Sequence, residues 1–238
     1  MVVLTLALCA KAALAARADW EWRLFPWSAY ALVQGFVLYA LAAAFFGAAA
    51  STLPVRWNRL VVLAVGVGVL THGLHRHAWL AWPEVHGDDR CAGADHHVRQ
   101  STHYTCGPAA CASALSYCGI TVSERELAAA CLTRSSGSSL FDLYRGLVVM
   151  LRDRPFFVSI ENPTVDEVLA ERLLTVGSNQ GGGHALCIAA TAGAVVVHDP
   201  LSPGPRTTTS EQLRAEFRGP AIVIRPAAAP PAAPAADH

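Results

Sequence analysis

Gln100-Ser-Thr-His-Tyr-Thr-Cys106-Gly107-Pro108 places a cysteine at the start of a predicted helix, with a carboxamide side chain a few residues upstream. From Gly107 to Tyr117 the residues are small or apolar. Pro108 suits the first helical turn, and Gly119 follows where a left-handed residue would close the helix. Cys106 therefore stands at the positive end of a helix dipole, where unpaired backbone N–H groups favour a thiolate over a thiol. A thiolate is a nucleophile, so the rest of the chain has to supply a base and a means of orienting it.

Composition divides the chain in two. Of its 238 residues 53% are hydrophobic and only 15% charged, and the charged ones are sparse up to Val85. Ser28 to Ala50 and Leu60 to Leu80 are apolar runs without acidic residues, each about the length of a bilayer-crossing helix. Trp20, Trp22, Trp27, Trp57, Trp79 and Trp82 flank them as an interfacial aromatic belt would. Met1 to Ala16 is apolar but short and interrupted by Lys11; a third membrane helix is favoured there over a signal peptide or a lipid anchor at Cys9. Three spans with the N-terminus inside would put the C-terminal part of the chain outside the cytoplasm. His72, His75 and His77 read as polar residues at the membrane interface rather than as a metal site. The lipid bilayer is thus an expected partner.

The expected organisation is a membrane region over residues 1–82, a polar linker over 83–98 in which His86, His96 and His97 face solvent, a soluble unit over 99–226, and a disordered Pro/Ala tail over 227–238. Net charge is formally zero without a basic run, so nucleic acid is not expected as a partner. The seven cysteines contain no C-x-x-C pair, which argues against a zinc ribbon or thioredoxin site. No metal or other cofactor is expected.

Within the soluble unit, Ser123 with Glu126 forms a capping-box pattern opening a helix to about Leu132. Ser139 precedes a helix over Leu140 to Arg152 with leucines at helical spacing. Phe156 to Ile160 reads as a buried strand, Thr164 to Leu174 as a helix, and Ala185 to Ala190, Ala194 to His198 and Ala221 to Ile224 as strands. Helices followed by strands indicate an α+β fold. A two-residue turn at Ala192-Gly193 would pair Thr191 with Ala194, Cys187 with His198 and Leu186 with Asp199. In that register His184 shares a face with Asp199, while His198 points the other way. His184 is then the candidate base for Cys106, and Asp199 its orienting carboxylate. Gln100 and the Cys106 backbone N–H are candidate donors to an oxyanion.

Gln100-x5-Cys106-Gly107, Gly183-His184 entering an apolar strand, and Val197-His198-Asp199-Pro200 closing the next resemble the bacteriocin-processing, double-glycine leader peptidase family of papain-like cysteine peptidases, over about Arg99 to Pro226. The resemblance implies a papain-like domain after the membrane region, a catalytic triad of Cys106, His184 and Asp199, and Gln100 in the oxyanion hole. It also implies a peptide or protein substrate, one that carries a leader sequence in that family. Thr105 stands where family members often carry Asp. The chain lacks the G-x-x-x-x-G-K-[ST] phosphate loop of transporter-fused members, so no nucleotide partner is expected. Acyl transfer or amidase chemistry with the same triad, and a non-catalytic peptide-binding membrane receptor, are the competing functions.

Overall fold

The computed structural model describes residues 2–15, 24, 28–78, 86–179, 183–191 and 194–227. Most of the tryptophan belt (Trp20, Trp22, Trp27, Trp79, Trp82), the Ala192-Gly193 turn, Gly181, Gly182 and the tail from residue 228 lie outside the described residues.

The apolar N-terminal runs form helices α1 (Val2–Ala15), α2 (Ser28–Thr52) and α3 (Arg56–His77). At 1.5 Å per residue α2 and α3 are about 37 and 33 Å long, enough for a hydrocarbon core of about 30 Å, while α1 reaches only about 21 Å. The turn at residues 53–55 joins α2 and α3 into an antiparallel hairpin, and the Arg59 guanidinium donates to the Leu53 carbonyl (2.9 Å) across it. Small residues let the helices approach. A Cβ added at Gly66 would lie 3.0 Å from Phe46 Cβ, and one at Gly73 2.6 Å from Tyr39 Cβ. His72 and His77 both set their rings against Tyr39 at the seam with α2. Away from the seam the hairpin turns Val33, Leu38, Leu60, Val61, Leu63, Val65, Val67 and Leu74 outward. An apolar outer surface of this kind suits lipid rather than water.

The remainder is a mixed helix and sheet unit, as expected. Its helices α4 (Cys106–Tyr117), α5 (Glu124–Ala130) and α6 (Leu140–Leu151) precede a six-stranded antiparallel sheet in the order β1-β6-β2-β3-β4-β5. The strands are β1 (Phe156–Glu161), β2 (Leu174–Asn179), β3 (Ala185–Ala190), β4 (Val195–His198), β5 (Arg206–Thr208) and β6 (Phe217–Pro226). Alternation along the strands feeds two cores. Cys187, Val176, Ile222 and Ile224 pack under α4 and α6, whereas Leu186, Ile188, Val197 and Val223 pack under α7 (Val165–Ala170) and α8 (Ser210–Glu216).

The predicted capping box at Ser123/Glu126 forms, and Ser139, expected only to precede α6, caps it in the same way with Asp142. The expected helix over Thr164 to Leu174 is much shorter. Arg172 takes a left-handed backbone (φ 51°) and Leu174 to Asn179 becomes β2, held between β3 and β6. Pairing on both sides, with the next strand β3 and the distant β6, overrides the local helical pattern. The expected polar linker is also not a solvated one where it is described. Val98 and His97 are buried, Cys91 bridges to Ser123, and the Glu124 and Arg125 N–H groups donate to the Arg90 and Asp88 carbonyls. Residues 86–98 are therefore built onto α4 and α5. All seven cysteines are free thiols.

The membrane-type helices and the α+β unit are in direct contact. α2 packs against α6, where the Tyr30 ring meets Phe141 edge-on at 6.2 Å, and Tyr30 joins the main core. α1 lies on α2, with the buried Lys11 ammonium 5.9 Å above the Tyr30 ring.

Candidate active site

Helix α4 carries Cys106 as its first residue and is buried from Gly107 to Leu115. Only small side chains allow this: Gly107, Ala109, Ala110, Cys111, Ala112, Ser113 and Ala114 let the helix lie close on β3 and α6. At its start no side chain of the N-cap residue caps the backbone donors. Thr105, the N-cap residue, makes no side-chain cap; its hydroxyl instead donates to the Thr102 carbonyl (3.1 Å). Pro108 contributes no N–H. The Gly107 N–H instead bonds the Cys106 sulfur, with the helix dipole behind it.

Strand β3 begins one residue after His184, and β4 ends one residue before Asp199. Their register pairs Cys187 with His198 and Ala190 with Val195, and the Thr191 N–H donates to the Ala194 carbonyl, as the hairpin reading predicts. His184 Nε2–H donates to Asp199 Oδ1 at 2.7 Å. The other ring nitrogen remains for Cys106, whose sulfur hydrogen-bonds the same imidazole. Cys106, His184 and Asp199 thus form a line with the ring in the middle. His198, one residue from Asp199, faces away and is fully buried, its Nε2 2.9 Å from the Tyr117 hydroxyl.

This line sets the charge state. Burial pushes the Cys106 thiol up, but hydrogen bonds from the His184 ring and the Ala185 and Gly107 N–H groups outweigh it and bring the thiol below its ordinary value. His184 rises to about 9, mainly through its bond to Cys106 and further through Asp199, against the opposing effect of burial. Both shifts favour a thiolate beside an imidazolium over a neutral thiol and imidazole.

Gln100 is placed differently from the other three. Its Nε2 donates to the Thr102 carbonyl at 2.6 Å, and its Oε1 is buried without a partner among the described residues. It does not line the cleft in this structure, although its backbone N–H donates to the Pro200 carbonyl (3.0 Å) and so ties the segment before Cys106 to the turn after Asp199.

The cleft at Cys106 has a volume of about 370 Å³. His103, Tyr104 and the Ser135–Ser138 turn form one rim; Leu140, Leu143, Val176 and Gly177 form the floor and far wall. Sequence reasoning did not find this wall, because turn serines and core leucines carry no signal of their own. It also missed Glu124. This fully buried carboxylate accepts from the Ser101 N–H (Oε1, 2.8 Å) and the Asp88 N–H (Oε2, 3.0 Å), fixing the loop that leads from Gln100 to Cys106. Its position in the first turn of α5, where an acidic residue is ordinary, hid it.

A nucleophile at a helix start, an imidazole on a hairpin and a carboxylate beyond it agree with what comparison with known families finds: the model of the peptidase C39 family matches residues 95–229. The chain belongs to the peptidase C39 family. It is therefore a papain-like cysteine peptidase by family, a hydrolase of peptide bonds. No curated protein matches the chain. Among solved structures, it is similar to a double glycine motif protease from an AMS/PCAT transporter in complex with the leader peptide, at 16% identity and a TM-score of 0.47, over 59% of this chain and 94% of that one. It is similar also to the peptidase domain of Streptococcus ComA, a bi-functional ABC transporter involved in quorum sensing, at 19% identity and a TM-score of 0.45, over 55% and 97%. A third is the N-terminal peptidase C39 like domain of the toxin secretion ATP-binding protein from Vibrio parahaemolyticus, at 12% and 0.40, over 52% and 96%.

Proposed function

We propose that this C39 peptidase is a membrane-anchored enzyme that cuts a peptide or protein precursor, with Cys106 as nucleophile, His184 as base and acid, and Asp199 orienting the ring. The observation that carries the reading is the single imidazole shared between the Cys106 sulfur and Asp199 Oδ1. The Cys106 thiolate attacks the scissile carbonyl carbon, and the electron pair moves to oxygen. The Cys106 N–H stabilises that oxyanion, and the Gln100 amide joins it on turning from the Thr102 carbonyl into the cleft. His184 then gives its proton to the departing amine nitrogen, leaving a thioester on Cys106. Water gives a proton to His184 and attacks the thioester, and the new carboxylic acid departs as the thiol regains its proton.

The anchor is assigned to α2 and α3, on their length and their outward-facing apolar residues, with α1 alongside α2. The peptidase unit is assigned to residues 99–226 with the packed segment 86–98 ahead of it, and placed outside the cytoplasm. A substrate with a leader sequence belongs to this same reading.

The test compares wild type with Cys106→Ala in two ways. A thiol-reactive activity probe should label wild type at Cys106 and leave the variant unlabelled. Comparative proteomics of cells carrying each form should show a precursor that accumulates only with the variant. Equal labelling of both forms would remove Cys106 from the chemistry.

A further inference from the structure

We infer that the substrate is a peptide anchored in the same bilayer as the enzyme, cut a short and fixed distance from the membrane surface. The inference rests on the reading just proposed and adds the class of substrate to it. α6 is the element that joins the two halves of the molecule. Its Phe141 receives the Tyr30 ring of α2, and its Leu140 and Leu143 line the cleft. Leu143 also touches the nucleophile's neighbour, since a Cβ on Gly107 would lie 2.6 Å from Leu143 Cδ2. An uninterrupted series of contacts therefore runs from the membrane helix to Cys106.

The length of that series is bounded. Tyr30 precedes the apolar span beginning at Gly35 by five residues, or about 7.5 Å along the helix. The rings of Tyr30 and Phe141 are 6.2 Å apart. Neighbouring positions on α6 and the step from Leu143 to Gly107 and Cys106 add roughly 10 Å. The nucleophile thus lies within about 25 Å of the start of the hydrocarbon span. An extended peptide covers that distance in about eight residues at about 3.3 Å each.

The composition of the cleft gives the second half of the reasoning. Among its described lining residues there is no Asp, Glu, Lys or Arg. Beyond the Cys106–His184 pair and His103, the lining consists of Tyr104, serines, glycines and apolar side chains, which hold a few uncharged residues and supply little of the electrostatic capture that draws a dilute charged peptide to its site. Co-anchoring supplies what the cleft lacks. Confinement on a short tether raises the local substrate concentration to the millimolar range without a new contact, and the gain falls as the tether lengthens. Fusion of α2 to α6 at Tyr30 and Phe141 holds the cleft at one height, so the tethered peptide meets it at one spacing.

The test uses the full chain reconstituted in vesicles of phosphatidylcholine and phosphatidylglycerol. The probes are reporter peptides with a randomised region of small and apolar residues, supplied free or fused to a transmembrane helix through spacers of about 4, 8, 16 and 32 residues. Products are read by mass spectrometry, with the Cys106→Ala chain as blank. Anchored peptides should be cut roughly tenfold faster or more than free ones, fastest near the eight-residue spacer, with cuts clustered at one distance from the helix. Equal rates for free and anchored peptides, or cut sites unrelated to the helix, would overturn the inference and leave the peptidase reading intact. Absence of cleavage above the blank in every arm would remove both.

Discussion

Removing the Cys106 sulfur should change the titration of an imidazole on a different strand. In the folded chain His184 stands at about 9 against an ordinary value of 6.5. At 1.36 kcal/mol per unit this is a preference of about 3 kcal/mol for the imidazolium. The bond to Cys106 is the largest contribution, Asp199 adds to it, and burial opposes both. In Cys106→Ala only Asp199 is left to hold the proton against burial, so the His184 pKa should fall by more than about one unit. Ring-labelled histidine NMR in detergent measures this directly, with the His184 signal assigned by its loss in His184→Gln. The same pair fixes a kinetic window. As pH rises through about 9 the imidazolium gives up the proton that the leaving amine needs, so turnover should fall. As pH falls below the lowered Cys106 value the thiolate is protonated, and both turnover and iodoacetamide alkylation should decline. If His184 titrates near 9 with and without the sulfur, the two groups do not share a proton, and the ion-pair account fails.

Three further outcomes are expected from other parts of the molecule. Glu124→Ala strands the Ser101 and Asp88 N–H groups, and should cost about 2–4 kcal/mol in chemical denaturation while lowering turnover more than Glu124→Gln does. His198 is held down to about 4 by burial and then by His97 and His96, so below about 6.5 the unfolded chain binds a proton that the folded one refuses. Stability should then drop as pH falls from about 6.5 to 4, by a total on the order of 3 kcal/mol, and this slope should be absent from denaturation curves of His198→Gln. Gly146→Ala sets a Cβ 2.3 Å from Cys131 Sγ and 3.3 Å from the Cys131 backbone nitrogen, and should lower the unfolding midpoint by an amount equivalent to about 1–3 kcal/mol; an unchanged midpoint would show that α6 can shift away from α5.

Much of the site is legible in the sequence because its parts are local. A helix start, a glycine before a strand, and a hairpin of fixed parity each depend on a few neighbouring residues, and together they place Cys106, His184 and Asp199 within one line of hydrogen bonds. Gln100 shows the limit. Its spacing from Cys106 is local, but the direction of its amide depends on the Thr102 carbonyl, which spacing does not encode. The start of β2 reads as helix in the sequence because Val168 and Leu169 continue a helical pattern, and 174–179 becomes a strand only through β3 on one side and β6, about forty residues on, on the other. The polar segment around His97 suggests exposure. Its burial instead arises from a bond to Ser202 and from the His198 ring stacked on it, both about a hundred residues away.

The position of β6 has a consequence for timing. β6 is the last strand made, yet it lies between β1 and β2, and β1 has no other partner in the sheet. While the ribosome works through the middle of the chain, α2 and α3 can already pair as a hairpin, but the two parts of the sheet have nothing to join them. The wall of the cleft that β2 provides through Val176 and Gly177 settles only when Phe217 to Pro226 arrive. A chain built in this order completes its cleft only when its last strand is in place, so a C-terminal truncation that removes β6 leaves the nucleophile without its far wall.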